Sequence, residues 1–104
     1  MDKKEIIDHL IYPAVDETNE TLAAGKQLVK SPETPLFGHD SVLDSLGLVN
    51  LVVLTEERIE QKTGKPIRLV SEMALSRRKS PFRSIQALSE YIEELMKESG
   101  PQDG

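Results

Sequence analysis

A strongly apolar segment near the middle of the chain, between a helix-start pair and a glycine, constrains the fold most. It begins at Asp44-Ser45, continues as a run of Leu and Val residues, and reaches Gly64. Asp and Ser satisfy the unpaired N–H groups at a helix start, and Gly is favoured just beyond a helix end. One inward stripe comprises Leu48, Leu51, Val52, Thr55 and Ile59, and the other side carries Leu46, Val49 and Val53. Such a helix either lies at the centre of a bundle or presents a second apolar face to a partner.

Two more segments have apolar residues at the three- and four-residue steps of a helix. The first extends from about residue 3 to residue 22, and Pro13 within it removes one backbone hydrogen bond. This predicts one bent helix or two short ones. The last helix follows Ser84, a residue suited to capping. The apolar positions are Ile7, Leu10, Ile11, Ala14 and Val15 in the first segment, and Ile85, Leu88, Ile92 and Leu95 in the last.

The stretch 25–42 predicts a long loop, because Gly and Pro recur in it among polar residues. Two short pieces of this loop, Leu28-Val29 and Pro35-Leu36-Phe37, are apolar enough that we expect them on the core. A loop of this length in a small domain is often functional.

After the central helix, residues 66–70 predict an extended piece and residues 71–75 a brief helical turn, followed by a polar loop at 76–83. We therefore predict an all-α bundle of three long helices plus one short helix. The domain covers residues 1–99, and residues 100–104 form a flexible tail.

The composition limits both the core and the partners. Aromatic residues make up 4% of the chain and Trp is absent, so the core consists mostly of Leu, Ile and Val. This favours packed helices over a β-sandwich. A net charge of −5 opposes binding to nucleic acid, which needs Lys and Arg to neutralise phosphate, and favours basic protein partners.

Several chemistries and locations are disfavoured by what the chain lacks. Without Cys it has no thiolate nucleophile and no Cys-ligated zinc. His39, Asp40 and Asp44 are too scattered in a loop to predict a structural metal site. No apolar run approaches the length of a signal-sequence core or a membrane span, so we expect a cytoplasmic protein.

The tripeptide Asp44-Ser45-Leu46 is weak evidence alone and gains weight from the order of the segments around it. A Pro/Gly loop containing Phe37-Gly38 leads into it, and the helix that it opens reaches Glu56-Glu57. A second extended piece follows around Pro66-Ile67, and then comes the last helix. This order resembles the acyl carrier protein superfamily over roughly residues 3 to 97.

The resemblance implies that Ser45 is a cofactor attachment site. In that superfamily the serine of an Asp-Ser-Leu motif at the start of the second helix is esterified by 4′-phosphopantetheine, which a separate phosphopantetheinyl transferase delivers from coenzyme A. Ser45 is the matching residue, and Asp44 matches the aspartate that helps the metal-dependent step of the transferase. The arm's thiol then carries the cargo as a thioester, and the chain itself is not an enzyme. A phosphodiester at this place would meet unpaired N–H groups and the positive end of the helix dipole.

The resemblance also implies partner-binding residues. Leu46 and Val49 match positions that contact partner enzymes or the arm, and Glu56 and Glu57 match acidic positions near the end of the helix. On physical grounds, Leu46 and Val49 predict an exposed apolar docking patch beside Ser45. The acidic residues are either solvated charges or an electrostatic guide for basic partners. The implied partners are the transferase, an acyl- or aminoacyl-loading ligase and biosynthetic enzymes, and we expect a monomer.

The cargo has two candidates. Asn50 stands where fatty-acid carriers often have Glu, and the longer stretch before the last helix contains Arg77-Arg78-Lys79, which is either a solvated loop or a contributor to partner selectivity. Segment 43–51, in which Gly47 follows the motif, is also similar to D-alanyl carrier proteins. The resemblance thus implies an acyl carrier for fatty-acid or specialised acyl biosynthesis, or alternatively an aminoacyl or peptidyl carrier.

Other interpretations of Ser45 belong to different classes of protein. Ser45 could serve only as the N-cap of the helix. Separately, the domain could be an unmodified helical adaptor that binds a partner helix. A hydrolase would recruit Ser45 and Asp44 together with His9 or His39. The sequence opposes a hydrolase, because a nucleophile elbow has Gly two residues before the serine and Leu43 occupies that position.

Overall fold

The chain folds around its first helix. The computed structural model describes residues 2–38, 40–69 and 80–99. Helix α1 consists of α-helical Lys3–Ile6, a π-helical turn Ile7–Ile11 and α-helical Tyr12–Asn19, helix α2 is Ser45–Thr63, and helix α3 is Ile85–Ser99. Within the described ranges the chain has these three helices and no strand, which confirms the all-α prediction. The predicted helical turn at 71–75, the basic triplet at 77–79, His39 and the tail at 100–104 lie outside the described residues.

Pro13 is accommodated in α1 by a π turn that precedes it. Proline has no N–H, and its ring opposes the carbonyl four residues earlier in a regular α-helix. Here the N–H of Tyr12 donates to the Ile7 carbonyl, a bond that spans five residues and is typical of a π turn. Of the two forms predicted from Pro13, one helix or two short ones, the structure has a single helix without an interruption.

The start of α1 is fixed by two side chains that the sequence analysis did not single out. The Glu5 N–H donates to Asp2 Oδ1 at 2.8 Å, and the Asp2 N–H donates to Glu5 Oε1 at 3.1 Å. This reciprocal arrangement is a capping box, which satisfies two N–H groups that a helix start leaves unpaired. The helix therefore begins at Lys3.

The core is built on α1, which contacts both other helices. Its first part packs against α3, its last part packs against α2, and the π turn contacts both. The largest fully buried side chains of the helices include Ile6, Leu10 and Ile11 of α1, Leu51 and Ile59 of α2, and Ile85, Leu88 and Ile92 of α3. The residues predicted to face inward are buried, except Leu48 and Leu95, which are half-buried against the core. Because α1 occupies the central position, α2 keeps one apolar face exposed.

The long loop between α1 and α2 is held to the bundle by hydrogen bonds of a helix side chain and by buried leucines. The Asn19 side chain pairs with the Leu28 backbone, accepting from its N–H at 2.7 Å and donating to its carbonyl at 3.0 Å. Leu28, Leu36 and Leu43 are buried. The prediction that Val29 and Phe37 also lie on the core is wrong, since they are 69% and 58% exposed. Consecutive side chains of a non-helical chain point in different directions, so burying one leucine turns its neighbour to solvent.

The ends of α2 and α3 are capped as the sequence predicts, with one addition. Gly64 has φ 75° and its N–H donates to the Glu60 carbonyl, which ends α2. Ser84 Oγ accepts from the Ala87 N–H at 3.0 Å, which confirms its capping role. In addition, the carbonyls of Pro32 and Thr34 in the long loop accept from the N–H groups of Gln86 and Ile85 at 2.8 and 3.0 Å. The loop therefore contributes directly to the start of α3.

The two faces of α2 give a matched pair of substitutions. Leu51→Ala removes a fully buried side chain and leaves a cavity, so it should lower the free energy of unfolding by about 2–5 kcal/mol. Leu46→Ala is the same chemical change on a side chain that is 77% exposed, and it should change stability by less than about 0.5 kcal/mol. Urea unfolding followed by circular dichroism measures both. Equal losses would contradict the assignment of the two faces.

Candidate functional site

The start of α2 is set by Asp44, which is the N-cap residue of the helix. Asp44 has an extended backbone, with φ −88° and ψ −175°, and its Oδ1 accepts from the Gly47 N–H at 2.7 Å. The alternative in which Ser45 serves only as the N-cap is therefore wrong. Ser45 is already the first residue of the helix, so its side chain is not required for the cap.

The Ser45 hydroxyl is available for chemistry. The residue is exposed, and its side chain makes no hydrogen bond with any residue that the structure describes. The backbone N–H groups of Ser45 and Leu46 likewise have no partner within the described ranges. They belong to the N-terminal turn of a 19-residue helix, where the peptide dipoles favour negative charge. A hydroxyl in this place can be reached by another protein, and an anion attached to it would find donors nearby.

Gly47 leaves room beside Ser45 for the capping carboxylate of Asp44 and the buried side chain of Leu43. A Cβ atom at this position would lie 3.1 Å from Leu43 Cδ2 and 3.2 Å from Asp44 Oδ1, closer than most contacts of this kind. Leu43 is buried, and the Asp44 carboxylate caps the helix, so neither side chain moves without cost. In the sequence, Gly47 indicated only a similarity to D-alanyl carrier proteins, and this packing role was not predicted. The signal was a glycine at the third helical position, where helix propensity disfavours it.

An exposed apolar strip follows Ser45 along α2. Leu46, Val49 and Val53 are 77%, 52% and 42% exposed and recur at the three- and four-residue steps that share one side of a helix. Val42, just before the helix, is 46% exposed. The structure thus leaves Leu46 and Val49 on the surface, as the predicted patch requires, and adds Val53 to the same side. We call Leu46, Val49 and Val53 the apolar strip.

The two predicted acidic residues differ in their surroundings. Glu56 is half-buried, and its Oε2 accepts from the Leu69 backbone N–H at 2.7 Å. This bond holds the non-helical segment 66–69, in which Leu69 is fully buried, against α2. Glu57 is exposed. Glu56 is therefore not simply a solvated charge, whereas Glu57 remains open to a partner.

Among the described residues, the structure does not bring together the side chains of a hydrolase site or of a metal site. His9 lies exposed on α1, and His39 lies outside the described ranges. In the part of the chain that the structure covers, no group of three or more His, Asp or Glu residues is placed to hold a metal ion. No helix in the described ranges combines the length and the apolar character needed to cross a membrane.

Comparison with known proteins leaves the site to be interpreted from its own geometry. No protein-family model, no curated protein and no solved structure matches the chain.

The capping assignment predicts different costs for two neighbouring substitutions. Asp44→Ala removes the acceptor of the Gly47 N–H and should lower the free energy of unfolding by about 0.5–2 kcal/mol. Ser45→Ala removes an exposed hydroxyl and should change it by less than about 0.5 kcal/mol. Chemical unfolding of both variants beside the wild type measures the difference. A larger loss for Ser45→Ala than for Asp44→Ala would show that Ser45 is needed for the helix itself.

The bond between Glu56 and Leu69 predicts a second contrast. Glu56→Ala leaves the Leu69 N–H without its acceptor and should destabilise the fold by about 1.5 kcal/mol. Glu57→Ala, one residue further along the same helix, should have an effect within about 0.5 kcal/mol of zero. Thermal or urea unfolding compares them. If the two variants were equally stable, the bond would contribute nothing to the fold.

Proposed function

We propose that the chain is an acyl carrier domain, with a bundle of the acyl-carrier type, that holds a 4′-phosphopantetheine arm on Ser45. One observation carries the proposal: the exposed Ser45 hydroxyl at the first position of a long helix, beside two N–H groups without partners in the described ranges. The order of segments around Asp44-Ser45-Leu46 supports the same conclusion. The domain would act in the cytoplasm as a monomer and would catalyse nothing itself.

The residues around Ser45 fit a phosphodiester. Oδ1 of Asp44 accepts the Gly47 N–H, which leaves the N–H groups of Ser45 and Leu46 as donors for phosphate oxygens. The second carboxylate oxygen of Asp44 has no hydrogen bond within the described ranges and remains for a cation during transfer. When attached, the arm supplies a terminal thiol, a group that this Cys-free chain lacks. The thiol holds an acyl group as a thioester.

In the proposed transfer, Ser45 supplies the attacking oxygen. Its Oγ gives its proton to a base of the transferase and forms a bond to the phosphorus of coenzyme A that bears pantetheine, and the bond from that phosphorus to the bridging oxygen breaks, so that adenosine 3′,5′-bisphosphate leaves. A separate phosphopantetheinyl transferase would catalyse this step. What Ser45 must provide is accessibility to another protein's active site, and its exposed position at the helix start provides that.

The apolar strip and Glu57 are the proposed contacts for partner enzymes. Apolar side chains on an exposed helix face lose water when a partner covers them, and they lie on the same helix as Ser45. Glu57 adds negative charge near the far end of that helix, which would favour a basic partner. The partners would be the transferase, a loading ligase and the biosynthetic enzymes that process the cargo.

The cargo separates two versions of this proposal. An acyl chain and an amino acid would both be held as thioesters, so the attachment site is the same for a fatty-acid type carrier and for a D-alanyl or peptidyl carrier. Asn50, exposed on α2, makes the surface near Ser45 less acidic than a Glu at this position would. Loading assays with purified acyl ligases and amino-acid ligases on the modified protein distinguish the two.

The attachment proposal predicts a change in mass. Wild-type protein incubated with coenzyme A and a broad-specificity phosphopantetheinyl transferase should gain the mass of one phosphopantetheine. Ser45→Ala should gain none, because it has no oxygen to form the phosphodiester. Ser41→Ala serves as the control: it removes another hydroxyl just before the helix, one that accepts the Leu43 N–H, and the protein should still load because residue 45 keeps its oxygen. Intact mass spectrometry and fragmentation of the peptide that contains residue 45 measure the result.

An unmodified adaptor is the competing proposal, and the apolar strip would suit it because docking of a partner helix needs no arm. Under that view, the wild type gains no mass and Ser45→Ala retains biological function. Wild-type protein that was unmodified when purified and stays unmodified with the transferase would overturn the carrier proposal.

A further inference from the structure

A groove lies directly beside Ser45, between the residues that follow α1 and the first turns of α2. Its volume is about 450 Å³, within the range of about 300–1,000 Å³ that is typical of small-molecule sites. The residues that line it are Thr21, Leu22, Asp44, Leu46, Gly47 and Asn50. Ser45 therefore stands between two residues of the groove wall. The groove is formed by parts of the chain that are distant in sequence, so it depends on the packing of α1 against α2.

The groove combines apolar surface with three polar side chains: the Asp44 carboxylate, which accepts from the Gly47 N–H, and the Thr21 hydroxyl and Asn50 carboxamide, which suit an amide-containing ligand. Leu22 and Leu46 contribute apolar side chains, and Gly47 contributes none. The Thr21 hydroxyl donates to the Thr18 carbonyl at 2.7 Å, so its oxygen can still accept a hydrogen bond. The exposed carboxamide of Asn50 makes no hydrogen bond within the described ranges, and it can both donate and accept.

We propose that this groove is a resting site for the pantetheine portion of the arm, with Asn50 pairing to one of its amides. The proposal rests on the attachment of the arm to Ser45. Pantetheine contains two amides, a hydroxyl and a geminal dimethyl group, which match the polar and apolar parts of the groove wall. An arm tied to Ser45 meets the groove at an effective concentration of about millimolar or more, so weak contacts are enough to hold it.

Isotope-filtered NMR tests the proposal on the loaded protein. Uniformly ¹³C,¹⁵N-labelled wild type is loaded with an unlabelled arm from coenzyme A, and intact mass first establishes that the arm is attached. Nuclear Overhauser contacts should then connect the geminal dimethyl group of the arm with the Leu22 side chain. The Leu22 amide should also shift between the unloaded and the loaded protein, and this shift reports the fraction of docked arm.

Two carboxamide substitutions on α2 provide the matched comparison. Asn50→Ala should lower the ratio of docked to free arm about two- to tenfold, the effect of losing one hydrogen bond. Gln61→Ala removes an exposed carboxamide near the other end of the same helix and should leave the ratio unchanged. Both residues are exposed, so neither change should impair folding.

The outcomes separate this proposal from the attachment itself. A loaded protein without contacts at Leu22 would overturn the groove as a resting site while leaving Ser45 as the attachment residue. Loaded Asn50→Ala that behaves like wild type would overturn the role of Asn50. A wild type that gains no arm would overturn both proposals together.

Discussion

The fold depends on the burial of one apolar face of α1 against the two other helices. Ile6, Leu10 and Ile11 are completely removed from water, and they contribute to a core shared with both α2 and α3. Burial of a side chain of this size contributes about 1.5–3 kcal/mol, so a few such residues outweigh any single cap or ion pair in the molecule. Helix α2 packs against α1 with its inward stripe, and Leu46, Val49 and Val53 stay exposed on its other side. The exposed strip that the functional proposal uses is a consequence of this packing.

Two adjacent residues at the start of α2, Asp44 and Ser45, have different roles. Asp44 accepts the Gly47 N–H and so caps the helix, and the Ser45 side chain makes no hydrogen bond with any described residue. A side chain that makes no structural contact can be bound by a partner enzyme and modified without disturbing the fold. Gly47 leaves room for Leu43 and Asp44, which a side chain at that position would crowd.

Much of the architecture could be predicted from the sequence because helices carry local signals. The apolar spacing predicted most of the buried positions of the three helices but not Ile6, and Ser84 and Gly64 marked the start of α3 and the end of α2. What could not be predicted depends on contacts between distant segments. The bond from the Leu69 N–H to Glu56 requires that segment 66–69 fold back on α2, and no pattern in the sequence encodes that. The exposure of Val29 and Phe37 depends on how the long loop turns, which composition does not specify.

Part of the candidate site could be predicted because its signals are also local in sequence. The tripeptide Asp44-Ser45-Leu46 and its helix are local features, and the structure leaves Ser45 and Leu46 exposed as the hypothesis requires. The identity of the N-cap residue and the groove beside it could not be predicted from the sequence. The groove forms only when tertiary packing brings Leu22 and Asn50 close together.

The two loop carbonyls that cap α3 give the connecting loop a second role. Pro32 and Thr34 supply acceptors to the N–H groups of Gln86 and Ile85, although the two segments are far apart along the chain. A rearrangement of the loop at these residues would leave two amides at the start of α3 without partners. The loop and the first turn of α3 therefore form one cooperative unit, in which local opening of either part exposes the backbone of both. The loop that leads to Ser45 is thus tied, near its middle, to the start of α3.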